Sequence, residues 1–101
     1  MLMPGVVRLG DMSAGHPHCY PARPNIEASP NVSCNGKGVH RLKDAWAVHG
    51  ACPDHTPHGG AASSGSPNVF VNGKAICRIG DAISCGDTMA QGSNNVFANG
   101  R

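Results

Sequence analysis

Apolar residues fall in short runs along this chain and never hold the 3.6-residue spacing of an amphipathic helix; the one stretch compatible with a helical turn is 43–48, around Trp46. What separates the runs is the Asn-Gly pair. In residues 66–81, Val69-Phe70-Val71 and Ala75-Ile76-Cys77 flank Asn72-Gly73. An Asn-Gly pair between two β-prone runs predicts a tight hairpin, because a type I′ turn needs positive φ at both central residues. Residues 29–44 repeat this unit around Asn35-Gly36, and both copies leave the hairpin through Arg-x-x-Asp: Arg41 with Asp44, Arg78 with Asp81.

The two chain ends carry the pieces of another copy. Residues 93–101 are a shortened unit ending at Asn99-Gly100-Arg101, and residues 5–11 read as a strand with Val6 and Arg8 on one face, Val7 and Leu9 on the other, leading to Asp11. Joining the broken ends completes a third hairpin, so the expected fold is all-β and pseudo-threefold, made within residues 1–101 as a single domain. Ala28, Gly65 and Gly92 hold one register ahead of the three hairpins.

The connectors differ from the repeats. Residues 12–24 are too rich in Pro and Gly for a helix and carry His16, His18 and Cys19. Residues 45–60 carry His49, Cys52, His55 and His58, while the third connector, 82–92, has Cys85 and no His. Counted from the repeat aspartates, the first metal-capable residues are His16, His49 and Cys85, at separations of five, five and four. Equivalent loops of a threefold object meet at one end of its axis, so these side chains should converge.

Composition raises the need for such a meeting point. A chain of 101 residues with 14 Gly, 8 Pro, two Phe, one Trp and one Tyr has little with which to fill an interior, and small scaffolds of this kind need a staple. Imidazole nitrogen and thiolate sulfur together suit tetrahedral zinc, and four protein ligands with no open position make a structural site. The expected set is His16, His49 and Cys85 with His58 as fourth, since Gly59-Gly60 lets the backbone fold back; His18 and His55 are the alternatives. Cys19 and Cys52 stand beside these ligands and could compete for metal or pair with each other. His40, Cys34 and Cys77 lie on strands and read as packed residues, the Arg and Asp of each hairpin exit as turn ties, and Arg23, Lys37, Lys74 and Arg101 as solvated.

Other classes find less support. A net charge of +2 with scattered Lys and Arg does not describe a nucleic-acid face. No apolar run approaches bilayer-spanning length, and the opening residues lack the continuous apolar segment of a secretion signal. The chain is thus expected to be made in the cytosol with its five Cys mostly reduced. There is no metal-binding helix with a Glu, no nucleophile elbow and no Gly-rich loop feeding a helix, which makes an enzyme unexpected. A zinc-dependent hydrolase and a thiol-based redox or metal-buffering protein are the rival readings.

Taken together, the two Ser-Pro-Asn-Val…Asn-Gly-Lys…Arg…Asp blocks, the half-copy Val7-Arg8-Leu9-Gly10-Asp11 and the closing Ser93…Asn95-Val96-Phe97 resemble the PAAR-repeat family. Gly15-His16…Pro21, Arg23-Pro24 and Trp46…His49 resemble its phage-type branch. The Pro-Ala-Ala-Arg tetrapeptide itself is replaced by Gly38-Val39-His40-Arg41 and Ala75-Ile76-Cys77-Arg78, with the Arg retained. The resemblance implies a three-sided pyramid of hairpins with one zinc near its point, held by three His and one Cys, a stoichiometry that His16, His49, His58 and Cys85 match. It also implies a non-enzymatic, monomeric tip whose base docks on a trimeric β-helical spike of a type VI secretion system or contractile phage tail. Such a tip would meet a target envelope transiently and would travel on the spike or in the virion tail. With no extension it would be a bare tip, able to carry an effector only noncovalently.

Overall fold

The computed structural model of the chain describes residues 4–17, 19–50 and 56–98, and every regular element among them is β. Six short strands form three antiparallel pairs. β1 (Ser33–Cys34) pairs with β2 (Lys37–Gly38), β3 (Ala45–His49) with β4 (His58–Ala61), and β5 (Phe70–Val71) with β6 (Lys74–Ala75). The two predicted hairpins are present in register, Ser33 opposite Gly38 and Phe70 opposite Ala75. Their turns have the paired positive φ values that drew Asn-Gly to these positions: 54° and 78° at Asn35-Gly36, 56° and 78° at Asn72-Gly73.

The third hairpin closes between the chain ends. Gly5 bridges Phe97, Val6 N–H donates to the Val96 carbonyl at 2.9 Å, and Ser93 N–H donates to the Val6 carbonyl at 2.8 Å. The same pair of bonds joins Val39 to Val32 and Ser29, and Ile76 to Val69 and Ser66. Asn99, Gly100 and Arg101 lie outside the described residues.

Strands this short hold because the copies bond one another in a ring. Val7 N–H donates to the Cys77 carbonyl, Cys77 N–H to His40 and His40 N–H to Val7, at 2.9 to 3.0 Å. A second ring runs from Leu9 to Gly38, Leu42 to Ala75 and Ile79 to Gly5. Closed rings of this kind leave no ladder edge unpaired at the level where they lie. Val7, His40 and Cys77, at equivalent positions, are all fully buried.

The side chains repeat the same symmetry. Val6, Val39 and Ile76 pack with Cys34, Val71 and Ala98 in one core cluster, two rings of three equivalent residues. Ser29, Ser66 and Ser93 each accept N–H bonds from the residues two and three further on, which is what the Ser-x-Asn motif secures. In two of the copies there is room behind the strand for one methyl group only: Ala28 faces Gly38, and Gly65 faces Ala75, where a Cβ on the glycine would come within 3.1 and 3.0 Å of its partner's.

Each hairpin exit is tied as expected. Asp11, Asp44 and Asp81 accept from the backbone N–H and the guanidinium of Arg8, Arg41 and Arg78, with side-chain distances between 2.8 and 3.1 Å. Among the described residues, Arg8 also donates to Asn35 and Arg41 to Asn72, so the turn asparagine of one copy is held by the arginine of a neighbouring one. At residues 5–11 the simple alternation fails, since Val6 and Val7 are both buried and Leu9 is 43 % exposed; a strand inside a closed ring has core on both faces.

The helical turn weighed for 43–48 is absent. Residues 45–49 are β3, whose edges are taken by β4 on one side and by Pro24 to Ile26 on the other, through Ala47 N–H to the Pro24 carbonyl and Ile26 N–H to the Ala45 carbonyl. Trp46, Ala62, Ile83 and Met89 join Val7 and Cys77 in a second core cluster, with Cys85 packed against it. That cluster has no threefold equivalence, and it carries the loops.

Candidate metal centre

Three loops deliver four donors to one place. His16, His49, His58 and Cys85 present ligand atoms that all lie within 4.8 Å of one another. Each is placed by a different local device. His16 opens a tight turn in which its N–H donates to the Tyr20 carbonyl at 2.8 Å; Gly15 precedes it at φ 81°, where a Cβ would strike the backbone of Tyr20 and Ala22 at 2.9 and 2.8 Å. His49 and His58 stand opposite each other across β3 and β4, just past an irregularity in the ladder. Cys85 is held in a turn closed by Gly86 N–H to the Ile83 carbonyl.

The imidazoles are aimed as ligands. His49 Nδ1 lies 2.8 Å from the Pro21 carbonyl, an acceptor, so Nδ1 carries the proton and Nε2 offers its lone pair. That Nε2 is 2.8 Å from Nε2 of His58, which in turn is 3.1 Å from Nε2 of His16. Bare ring nitrogens converging this closely repel unless a cation or proton stands between them. In a tetrahedral zinc site N–N edges are about 3.3 Å and N–S edges about 3.6 Å, from the usual bond lengths. Spacing and donor chemistry therefore fit a divalent ion of the zinc type. His58 is held below the usual histidine range, first by loss of water and then by the neighbouring His49 and His16, which favours the neutral, ligating form.

Around the donors lies an organised shell. Tyr20 stacks on His58 at 4.3 Å and on His16 at 4.6 Å between ring centres, and its hydroxyl donates to the Thr56 carbonyl at 2.8 Å. Arg23 Nη2 donates to Cys85 Sγ at 2.9 Å. Neither contact is visible in ligand spacing, and the expectation that Arg23 is solvated is wrong: it is 3 % exposed. Its place beside β3 is made by the ladder to Pro24, which nothing short of the fold reveals.

The structure thus brings together all four expected donors. The reason for Gly59-Gly60 differs from the one expected. The segment runs straight through β4, and what Gly60 supplies is clearance: a Cβ there would lie 2.9 Å from Ile83 Cγ2, 3.4 Å from Arg23 Nη2 and 3.5 Å from Cys85 Sγ. Cys19 is disulfide-bonded and is not available to the metal; the expectation of reduced thiols holds for Cys34, Cys77 and Cys85. His18, His55 and Cys52 lie outside the described residues. Lys74 is held near Asp44 at 3.8 Å with its side chain 42 % exposed, close to the solvated state expected of it.

A family model described as PAAR motif matches the chain over residues 15–91 and again over 53–101. No curated protein matches it.

Proposed function

The chain belongs to the PAAR-motif family, and on that premise we propose that it is the structural tip of a spike, docked by its hairpin face on the end of a trimeric β-helical protein. Family membership supports a structural part of a spike rather than a catalyst. The observation that carries the docking is the cyclic hydrogen bonding of Val7, His40 and Cys77, since a single chain with internal threefold equivalence can meet a true threefold end with three similar contacts. Side chains at related hairpin positions are exposed in a way that suits such a contact: Val32 and Val96 are 38 % and 40 % exposed, Phe70 and Phe97 59 % and 48 %. Such a cap would also cover strand edges at the end of the spike.

In this reading the opposite, loop-bearing part forms the narrow point of a cone, and zinc on His16, His49, His58 and Cys85 fixes a region with little apolar interior. The machine is a type VI secretion system or a contractile phage tail. Mixing the purified chain with the trimeric spike protein of the same source tests this. One copy per trimer is expected on size-exclusion chromatography with light scattering, and Phe70→Asp with Phe97→Asp should abolish it. A stable chain that binds no such trimer, or binds it equally well with both aspartates, overturns the docking.

A further inference from the structure

We propose that Arg23 is a positioning residue of the metal centre, whose guanidinium holds the Cys85 sulfur by an N–H···S hydrogen bond and thereby sets both its direction and its donor strength toward the ion. This rests on the reading of His16, His49, His58 and Cys85 as a metal site.

The argument comes from a contrast within the molecule. Three Arg–Asp pairs, one at each hairpin exit, close to between 2.8 and 3.1 Å. A fourth buried pair does not. Arg23 Nε stands 3.6 Å from Asp87 Oδ2, and neither atom has a hydrogen-bond partner among the described residues. The fork of Arg23 is turned elsewhere: Nη2 to Cys85 Sγ at 2.9 Å and Nη1 to the Ala47 carbonyl at 2.7 Å, with the guanidinium 5.7 Å from the Trp46 ring centre. Burying a guanidinium is costly unless its partners are good. A residue serving only to neutralise Asp87 would close on it as its three counterparts close on theirs. Here the ion pair is left slack and the donors go to sulfur and to the strand that carries His49.

Ala47 is two residues from His49 on β3, so one planar group ties the thiolate loop to the imidazole strand. Gly60 keeps the space open: a Cβ there would clash with Ile83 Cγ2 at 2.9 Å and would already touch Arg23 Nη2 and Cys85 Sγ at 3.4 and 3.5 Å. Hydrogen-bonded partners behind a ligand typically matter 10–100-fold in metal affinity. A donor on sulfur also draws charge from it, which lowers its donation to the metal.

The experiment uses cobalt(II) as the probe in the full chain. Wild type should take up one cobalt with tetrahedral ligand-field bands and a sulfur-to-cobalt charge-transfer band. In Arg23→Met that band should move to lower energy, because the freed sulfur gives up charge more easily, and affinity by chelator competition should fall about 10–100-fold. Arg23→Met with Asp87→Asn removes both charges and serves where the single variant does not fold; the band shift should be the same. An unmoved band with affinity within about threefold of wild type overturns the proposal. In the wild type loaded with NMR-active cadmium, a through-bond coupling from the metal to the Arg23 Nη protons is expected. Its absence, with those protons in fast exchange with water, overturns the proposal without any mutation. Failure of the wild type to bind cobalt at all would instead reject the metal site itself.

Discussion

The hairpin region and the loop region of this molecule solve the same shortage in opposite ways. Neither has enough apolar mass for an ordinary core. In the hairpin region each device is used once per copy: a ring of backbone bonds, a buried Arg–Asp tie, a serine under each incoming strand and two rings of small apolar residues. In the loop region nothing repeats. Trp46, Ile83, Met89 and Ala62 pack as an asymmetric cluster, and beyond them the loops are joined by Arg23, Tyr20 and four potential metal donors around one point. Symmetry distributes stability over many weak equivalent contacts, whereas an ion on those four donors would concentrate it in one.

The comparison breaks most directly at the ligands. His49→Ala should abolish stoichiometric zinc by elemental analysis and lower the melting temperature by tens of degrees, since a structural zinc contributes on the order of 10 kcal/mol, as much as the whole net stability of a typical domain. Chelation of the wild type sharpens it further. Amide exchange should rise in 12–24 and 56–62 well before it rises at Val7, His40 and Cys77. Equal loss in both regions would show that the rings depend on the metal.

Within the hairpin region, Asp44→Ala removes the acceptor from a fully buried site and strands the Arg41 guanidinium, whose affinity for its proton is raised chiefly by that bond. About 3–5 kcal/mol is expected in chemical denaturation. Asp11→Ala should cost less, because the Arg8 side chain is 14 % exposed and can turn to water. Equal costs would mean that the ties act by backbone geometry alone.

His40 tests whether the rings are independent of charge. It is fully buried between its copies' Val7 and Cys77, its Nδ1 lies 2.7 Å from the Glu27 carbonyl, and it meets the Trp46 ring edge-on at 5.1 Å. Burial is the largest influence and lowers its proton affinity, against the raising effects of the Glu27 carbonyl and the Asp44 carboxylate. A histidine held neutral in the fold stabilises it fully above its unfolded pKa. Stability should therefore decline as pH falls below about 6.5. His40→Val, the residue at the equivalent position 7, should flatten that decline in thermal melts; an unchanged slope would assign it to the metal ligands.

The smallest effect concerns one turn. Gly10, Lys43 and Gly80 are equivalent and all have positive φ, 87°, 73° and 92°. Lys43 alone carries a side chain there, at a cost of about 1 kcal/mol, part of which a glycine returns through its freer unfolded chain. Lys43→Gly should raise stability by about 0.5 kcal/mol, a melting shift of a few degrees. Destabilisation would show that the lysine stem packs usefully.

Much of this was legible in residue order. Asn-Gly twice with the same exit named both hairpins, and the half-copies at the ends named the third, because a two-residue turn with positive φ is a local demand that few residues meet. His16, His49 and Cys85 could be selected by counting from Asp11, Asp44 and Asp81, since repeats transmit register. Trp46 misled, because its strand is made by Pro24 to Ile26 and by β4, neither of which is near it in the local pattern.

What the residues alone determined, then, is whatever repeats or turns locally: all-β character, threefold equivalence and the donors that equivalence carries. Tertiary structure decided the rest. Only folding sets Arg23 against Cys85 and away from Asp87, and only folding makes Gly60 a clearance instead of a bend. These are contacts between side chains from unlike connectors, and no periodicity along the chain encodes which of them meet.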